Sequence, residues 1–167
     1  MVLDREELKR LLHYDPNTGV FTWLVSPSRG VKVGDVAGTN KEGYTLIRLN
    51  RKPYRSHRLA WLYMTGEWPR EHLDHINGVK DDNRWVNLRE ATQQQNMFNK
   101  SSERNSSSKY KGVHFHKVSR KWQTKISINK KPVHVGLFET EEEAALAYNE
   151  QAIKHHGEYA KLNEVSF

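Results

Sequence analysis

The sequence predicts an α+β protein built from small antiparallel sheets and a few short helices. Segments that alternate polar and apolar residues are separated by turn-forming Asn, Gly and Pro, which is typical of short antiparallel strands. Other segments have helical periodicity and open on capping residues. Residues 100–109 (KSSERNSSSK) hold five serines and no apolar residue, which is the composition of a linker. We therefore expect the 167 residues to form two small modules divided by that linker.

The composition excludes several classes of protein and site. No cysteine occurs, which removes disulfides and thiolate zinc centres. No zinc is therefore expected, and any metal must bind His, Asn or carboxylate side chains. No segment approaches the roughly 20 apolar residues of a membrane span, and residues 1–10 are too acidic for a signal peptide. The sequence predicts a cytoplasmic protein without a membrane partner.

The formal charge of +7 is concentrated in one part of the chain. Residues 100–138 carry 10 basic and 1 acidic side chains, whereas residues 139–167 carry 2 basic and 7 acidic ones. Residues 57–99 are nearly neutral, with 5 basic and 6 acidic side chains. This distribution favours a module with one face toward a polyanion and another toward water, and the simpler alternative is solvated surface charge.

Residues 1–56 predict a short helix followed by a small sheet. Asp4 and Glu7 are spaced as in a capping box and leucines follow at helical spacing, so a helix should run to the turn at 15–19. A second helix should begin at Ser56. β-Branched and aromatic residues predict strands at 20–23, 44–49 and 54–55.

The most informative stretch lies within residues 57–99. Asp74 and His75 are adjacent, so in an extended strand one can bind a metal while the other addresses a water, provided that the strand bends locally. The polar residues that follow suit a loop, 88–91 suits a returning strand, and Thr92 suits a helix N-cap. The predicted order is strand, loop, strand, helix.

With this order of elements, residues 57–99 resemble the HNH endonuclease core of the ββα-metal type, in the Asp-His…Asn…Asn form of phage homing and nicking endonucleases. The resemblance implies that His75 is the general base, that Asn87 braces the loop, and that Asp74 and Asn96 hold the metal. A histidine with the ordinary pKa of about 6.5 can take a proton from water at neutral pH. Many relatives have histidine where this chain has Asn96.

The resemblance also implies one divalent ion per active site, Mg²⁺ or Mn²⁺. An ion held by one carboxylate and one amide keeps most of its coordination sites for water and phosphate oxygens, as Mg²⁺ does. Asn99 is a rival to Asn96, because residues three apart share a helix face. His57 suits either a phosphate contact or a structural role. Arg84 and Arg89 would either contact phosphates or brace the acidic loop.

Residues 110–167 predict three strands, at 112–117, 121–129 and 133–138, and one helix that opens with a capping box of Thr140 and Glu143. Alternation places apolar side chains on the sheet face that covers the helix. These are Val113, Phe115, Trp122, Thr124, Ile126 and Ile128, which Val133 and Val135 can join. The opposite face and the strand ends carry cations and hydrogen-bond donors that suit a DNA groove. They are His114, His116, Lys117, Arg120, Gln123, Lys125, Ser127, Lys130, Lys131 and His134.

This second module resembles the plant ethylene-response-factor, or apetala-two type, DNA-binding domain. The matching motifs include Tyr-Lys-Gly-Val at 110–113, Val-Gly-Leu-Phe at 135–138 and the helix segment 142–148. The resemblance covers nearly all of residues 110–163 and implies that the exposed sheet enters the major groove of DNA. Histidines and a serine stand where the plant proteins carry Arg or Trp, so the docking role carries over and the base preference does not.

These features predict a site-directed endonuclease of double-stranded DNA, of the phage homing type, in which the second module places the catalytic core at a long site. One active site per chain favours a nick, and cleavage of both strands would need a homodimer or a second binding event. Two alternatives remain open at this stage. One is a non-catalytic DNA-binding regulator with a decayed nuclease core, and the other is a non-specific nuclease.

Overall fold

A computed structural model describes residues 3–100 and 106–166. The chain divides into two compact units, Met1–Thr92 (unit 1) and Gln93–Phe167 (unit 2). Every paired strand is antiparallel, so the predicted class of small antiparallel sheets with a few helices is confirmed. Half of the segment predicted as a linker, residues 101–105, lies outside the described residues, and a domain boundary there stays a prediction.

Unit 1 begins with helix α1 (Arg5–Leu11) and the hairpin of β1 (Leu12–Asp15) and β2 (Val20–Trp23). The backbone N–H of Glu7 donates to the Asp4 carboxylate at 2.8 Å, which caps the helix. The prediction that this helix runs to the turn at 15–19 was wrong. Residues 12–15 alternate between buried and more exposed positions and pair in register with β2, so burial of alternate side chains favours a strand there.

A three-stranded sheet follows, formed by β3 (Thr39–Lys41), β4 (Tyr44–Leu49) and β5 (Lys52–Arg55), and it leads into helix α2 (Ser56–Thr65). Residues 50 and 51 have φ of 48° and 65°, the left-handed values of a two-residue hairpin turn. The fifth strand therefore starts two residues earlier than predicted.

The second hairpin of unit 1 carries the residues singled out from the sequence. It joins β6 (His72–His75) to β7 (Leu88–Ala91) through a loop that ends in a 3₁₀ turn, Trp85–Asn87. In the antiparallel register, Asp74 lies opposite Arg89. Strand, loop and strand thus follow the predicted order.

The main core of unit 1 lies between α1, the first two sheets and α2. Its largest fully buried side chains are Tyr14, Phe21, Leu8, Leu12, Ile47, Leu59 and Leu62. Because the chain has no cysteine, the core of residues 57–99 must be held by packing, for which the sequence offers Trp61, Trp68, Leu73, Trp85 and Leu88. Leu73 and Leu88 are buried and Trp68 packs against the main cluster. Trp61 and Trp85 are instead half-buried and contact each other, with ring centroids 5.2 Å apart.

Unit 2 contains helix α3 (Gln93–Phe98), strands β8 (Val113–His116), β9 (Lys121–Ile128) and β10 (Lys131–Phe138), and helix α4 (Glu141–His156). β9 is the central strand of the sheet, and the predicted capping box of Thr140 and Glu143 is present. The sheet packs on α4 through Val113, Ile126, Ala144, Ala145, Tyr148 and Ala152. None of the helices described in either unit is long and apolar enough to cross a membrane.

A register shift between His134 and Gly136 changes the faces of the last strand. Beyond it, Leu137 pairs with Gln123 and is 41% exposed, although the sequence had not placed it on the outer face. Phe115 and Val133 were predicted to be covered by the helix, but they are 41% and 40% exposed. Both lie on edge strands, where the single helix covers less of the sheet than it does along β9.

Candidate active site

His75 ends strand β6 and is only 6% exposed. Three other parts of unit 1 surround its ring. The ring of His57, in the first turn of α2, packs edge-on at 4.9 Å between centroids, and the ring of Tyr44, at the start of β4, lies at 6.3 Å. The amide oxygen of Asn83, in the loop after β6, lies 3.2 Å from Nε2. The fold therefore places His75 where a sheet, a helix and a loop meet.

Burial lowers the pKa of His75, because a low-dielectric surrounding disfavours the charged imidazolium. The hydrogen bond to Asn83 and the charge of Asp74 act in the opposite direction and raise that pKa. Burial is the largest of these effects. The imidazole is therefore neutral at pH 7, which is the form that a general base requires.

Asn83 determines which ring nitrogen of neutral His75 carries the proton. Its amide nitrogen donates to the carbonyl oxygen of Asp81 at 3.1 Å, so its Oδ1 is the atom that faces the ring. An amide oxygen can only accept, and Nε2 of His75 must then donate to it. In this geometry the lone pair of the neutral imidazole is on Nδ1.

His57 is also buried and neutral. Burial is the main reason that its pKa falls to about 3, with smaller contributions from His75, Arg55 and Arg58. An uncharged imidazole offers no Coulomb attraction to a phosphate, so the structure favours the packing role among the two left open by the sequence. The ring supports His75 from the side.

Asp74 is buried in a charge-assisted pair with Arg89. Both Nε and Nη2 of Arg89 donate to Oδ2 of Asp74, at 3.0 and 2.8 Å. The two residues face each other across the hairpin, which fixes the orientation of the carboxylate. Arg89 thus holds Asp74 in place through this ion pair.

The carboxylate of Asp74 could serve as one ligand of a hard cation. In the part of the chain that the structure describes, no three His, Asp or Glu side chains group together as metal ligands. A carboxylate oxygen is the kind of ligand that Mg²⁺ and Mn²⁺ prefer. Asn96 lies on α3, which belongs to unit 2, and Asn99 is buried just beyond that helix. Which of them joins Asp74 stays a prediction.

Asn87 closes the loop that follows β6. Its Oδ1 accepts from the backbone N–H of Asn77 at 3.0 Å, and its Nδ2 donates to Asn77 Oδ1 at 3.0 Å and to the Asp82 carbonyl at 2.8 Å. Its own carbonyl accepts from Ile76 N–H at 2.9 Å. Asn87 is thereby bonded to both ends of the loop and lies one register step from His75.

The guanidinium of Arg84 is paired with a carboxylate of the same loop. Its Nε and Nη2 donate to the two carboxylate oxygens of Asp82 at 2.7 and 2.6 Å, and Asn77 Nδ2 donates to Asp82 at 2.6 Å. These hydrogen bonds lower the pKa of Asp82 to about 2. The sequence left open whether Arg84 contacts phosphates or braces the acidic loop, and its observed partner is the loop.

The β1–β2 hairpin and its turn contact the backbone of Asn83 and its neighbours. The Tyr14 hydroxyl donates to the Asn83 carbonyl at 2.7 Å, and Trp85 N–H donates to the Pro16 carbonyl at 3.0 Å. Gly19 has φ of 74°, and a Cβ there would lie 2.5 Å from the backbone nitrogen of Arg84 and closer still to the Asn83 carbonyl carbon. The sequence did not predict this contact between the turn and the loop. The glycine in the turn was the only local feature that could have indicated it.

The outer face of the unit 2 sheet brings together the side chains predicted there. His134 lies opposite Lys125, and His114 lies opposite Gln123. The strand ends and turns add further cations to the same module. Lys117, Arg120, Lys130 and Lys131 are exposed, as are His114, Lys125, Ser127 and His134. His116 is half-buried and its Nδ1 lies 2.8 Å from the Ser119 hydroxyl.

Comparison with known proteins gives three similar proteins and one family match, which covers part of the chain. An uncharacterised HNH endonuclease of Acanthamoeba polyphaga mimivirus is 39% identical over 131 residues, which cover 76% of this chain and 66% of that protein, slightly under two thirds. APETALA2-like protein 2 of Oryza sativa, in both the indica and the japonica subspecies, is 44% identical over 59 residues, covering 34% of this chain and 13% of the rice protein. No solved structure matches significantly. The HNH endonuclease family matches residues 54–98, and this segment of the chain is therefore similar to an HNH endonuclease domain.

Proposed function

We propose that the protein is a metal-dependent endonuclease that hydrolyses a phosphodiester bond of double-stranded DNA. The observation that carries the proposal is the buried, neutral His75 beside the clamped carboxylate of Asp74, inside a segment that matches the HNH endonuclease family. The viral relative, also named an HNH endonuclease, supports the same class of activity.

In this proposal His75 takes the proton of the attacking water. Its pKa is below the ordinary value, so the ring is neutral across the physiological range. Asn83 and His57 fix the ring from two sides, which keeps the lone pair in one direction. Positioned proton transfer of this kind contributes roughly 10² to 10⁴ in rate.

Asp74 and Asn96 would hold one Mg²⁺ or Mn²⁺ ion, with Asn99 as the alternative amide. When bound, the ion would neutralise charge on the scissile phosphate and on the leaving 3′ oxygen. Arg89 keeps one oxygen of Asp74 hydrogen-bonded, so the carboxylate of Asp74 stays oriented. Asn87 acts on His75 indirectly, because it holds the loop that contains Asn83.

The outer sheet face of unit 2 is the proposed DNA anchor. Its histidines and lysines, together with the partial match to the APETALA2-like rice proteins, support docking into the major groove. We extend the proposal to a homing nuclease of the phage type that nicks one strand as a monomer, or cuts both as a dimer. The competing candidate is a DNA-binding regulator without catalysis.

Incubation of the full chain with supercoiled plasmid and Mg²⁺ tests the proposal directly. The wild-type protein should convert the plasmid to nicked or linear DNA, and EDTA should prevent this. His75→Ala should lower the rate by 10²-fold or more, and Asp74→Ala should raise the metal concentration needed for half-maximal rate. Plasmid binding without any cleavage would favour the regulator and contradict the nuclease.

Two matched controls sharpen the result. His13→Ala removes an exposed histidine of β1 in the same unit and should leave the rate unchanged. Asn96→Ala and Asn99→Ala form a second pair, in which only the variant of the true ligand should shift the Mg²⁺ dependence. Mapping the cut positions on the plasmid would distinguish a site-directed enzyme from a non-specific one.

A further inference from the structure

Two cations of unit 1 lie over the ring of Tyr44, next to the histidine pair. The guanidinium carbon of Arg55 is 4.4 Å from the ring centroid, and Nζ of Lys80 is 5.0 Å from it. The same ring lies 5.6 Å from His57 and 6.3 Å from His75. Tyr44 and Arg55 come from the hairpin of β4 and β5, and Lys80 comes from the loop after β6, which tertiary folding brings to the same ring.

Unlike the two arginines considered from the sequence, these cations have no carboxylate partner within the described part of the chain. Arg84 and Arg89 are paired with Asp82 and Asp74. Arg55 and Lys80 are exposed, and among the residues that the structure describes neither lies within ion-pair distance of a carboxylate. The charged groups of Arg55 and Lys80 are therefore accessible to solvent.

The fold also orders the side chain of Lys80. Gly43, with φ of 83°, precedes Tyr44 in a tight turn, and a Cβ there would lie 3.4 Å from Cδ of Lys80. The Lys80 stem thus runs across the turn to reach the ring. Contact with an aromatic face is worth roughly 0.5–1 kcal/mol at an exposed site, and it leaves the N–H donors of both cations available to a ligand.

The distances place both cations close to the proposed chemistry. Tyr44 is 6.3 Å from the His75 ring, and the two cations are 4.4 and 5.0 Å from Tyr44, so each cation lies at most about 11 Å from His75. Consecutive phosphates of one DNA strand rise about 3.4 Å along the duplex axis. A strand with one phosphate at His75 can therefore place a neighbouring phosphate within reach of Arg55 and Lys80. The exposed Arg55 presents a guanidinium fork that matches a phosphate, and Lys80 adds a point charge.

We infer that Arg55 and Lys80, held on Tyr44, form a phosphate clamp for the DNA strand that flanks the bond addressed by His75. The inference rests on the proposed nuclease function and adds the substrate-binding residues of that site. The clamp positions DNA and takes no part in proton transfer. It should therefore affect KM and DNA affinity, with little effect on kcat.

Binding of a fluorescein-labelled DNA duplex to the full chain in EDTA, followed by anisotropy over a range of KCl concentrations, tests the clamp. Arg55→Gln and Lys80→Gln should each reduce the slope of log K against log salt by about 0.9, which corresponds to about eightfold weaker binding at 0.1 M salt. Tyr44→Leu should weaken binding in the same direction, and Tyr44→Phe, which keeps the ring, should not. Plasmid cleavage by the two charge variants should show a raised KM with kcat within about twofold of wild type.

Lys52→Gln is the matched control, because Lys52 is an exposed cation at the other end of β5. It should leave the salt slope unchanged, and an equal loss there would mean that general surface charge, not a clamp, binds the DNA. If the wild-type protein cleaves plasmid but Arg55→Gln and Lys80→Gln bind like wild type, the clamp is refuted and the nuclease stands. If the wild-type chain neither binds nor cleaves DNA, both inferences fall together.

Discussion

Asn83 acts on His75 in two ways, since it orients the ring and changes its proton affinity. The amide is fixed by the Asp81 carbonyl on one side and by the histidine on the other. Its hydrogen bond raises the pKa of His75 against the larger effect of burial. At the residue scale, the proton affinity of His75 thus depends mainly on burial and is partly restored by a neighbour eight positions along the chain.

Substitution of Asn83 should move the pH dependence of cleavage in a direction that depends on the new side chain. The acid limb of the rate reports the pKa of the base, because only neutral His75 accepts a proton. Asn83→Ala removes a bond that favours the charged ring, so the limb should move to lower pH while the maximal rate falls about tenfold through lost orientation. Asn83→Asp adds a negative charge at the ring, so the limb should move to higher pH. If both variants moved the limb the same way, Asn83 would not act through the ring of His75.

His57 should make unit 1 less stable in mild acid. Its pKa of about 3 lies below the ordinary value, so the unfolded chain takes up the proton first. The stabilisation is complete above about pH 6.5 and is lost as the pH falls through 6.5 toward 3. From pH 7.5 to pH 5 the wild type should lose about 2 kcal/mol in free energy of unfolding through this group.

Urea titrations followed by tryptophan fluorescence would measure that loss, since four of the five tryptophans lie in unit 1. His57→Phe keeps a ring against His75 and Tyr44 but cannot be protonated, so it should lose correspondingly less stability over the same pH interval. An equal loss in both proteins would show that His57 is not the titrating group.

At the scale of elements, the β1–β2 hairpin supports the loop that follows β6. The turn touches the loop backbone through Gly19, and Tyr14 and Pro16 hydrogen-bond to it. Backbone contacts of this kind leave no room for a side chain. The N-terminal hairpin is therefore part of the support of His75, although it lies outside the segment that matches the HNH family.

Gly19→Ala should destabilise unit 1 by about 3 kcal/mol, through both backbone strain at φ of 74° and collision with the loop. Gly34→Ala separates the two causes, because Gly34 has φ of 91° with open space around it and should lose only about 1 kcal/mol. Thermal unfolding of both variants measures the difference. Equal losses would mean that the contact between the turn and Asn83 adds nothing beyond strain.

The sequence predicted those elements that have their own local signal. Strands 20–23, 44–49 and 88–91 were predicted with the observed bounds, because β-branched, aromatic and alternating apolar residues identify them. β3 was missed, since its three residues are polar and fully exposed and become a strand only by pairing with β4. The end of α1 was misplaced because a leucine pattern at helical spacing continued into β1.

The sequence predicted the part of the candidate site that lies within one segment, but it did not predict the contacts between distant segments. The motif around Asp74, His75 and Asn87 has a local order of strand, loop and strand that the sequence displays. The neighbours of His75 on α2 and β4 are separated from it by 18 residues or more, and nothing in their own surroundings marks them as partners. Asn83 stands in a polar loop segment, where a single asparagine carries no sign of what its amide will contact.

At the scale of the whole molecule, the uneven charge of unit 2 has two separate causes. The acidic part includes Glu141–Glu143 in the first turn of α4, where negative charge is stabilised by the helix dipole. The basic part lies on the outer sheet face and in its turns, where Asn129 and Lys130 form a left-handed two-residue turn with φ of 49° and 64°. The glutamates at the start of α4 thus stabilise the helix. The exposed cations of the sheet face and its turns have no such role in the local structure.

The double variant Lys130→Gln, Lys131→Gln should therefore weaken DNA binding without altering the chemistry. If both lysines contact phosphates, the slope of log K against log salt should fall by about 1.8, with a matching rise in KM and an unchanged kcat. Phosphate contacts carry no direct sequence information, so the plasmid should be cut at the same positions as by the wild type. Lys154→Gln, an exposed cation on α4 of the same unit, should leave the slope as it is. An unchanged slope in the double variant would mean that this end of the sheet does not face DNA, and binding would then depend on the cations of unit 1.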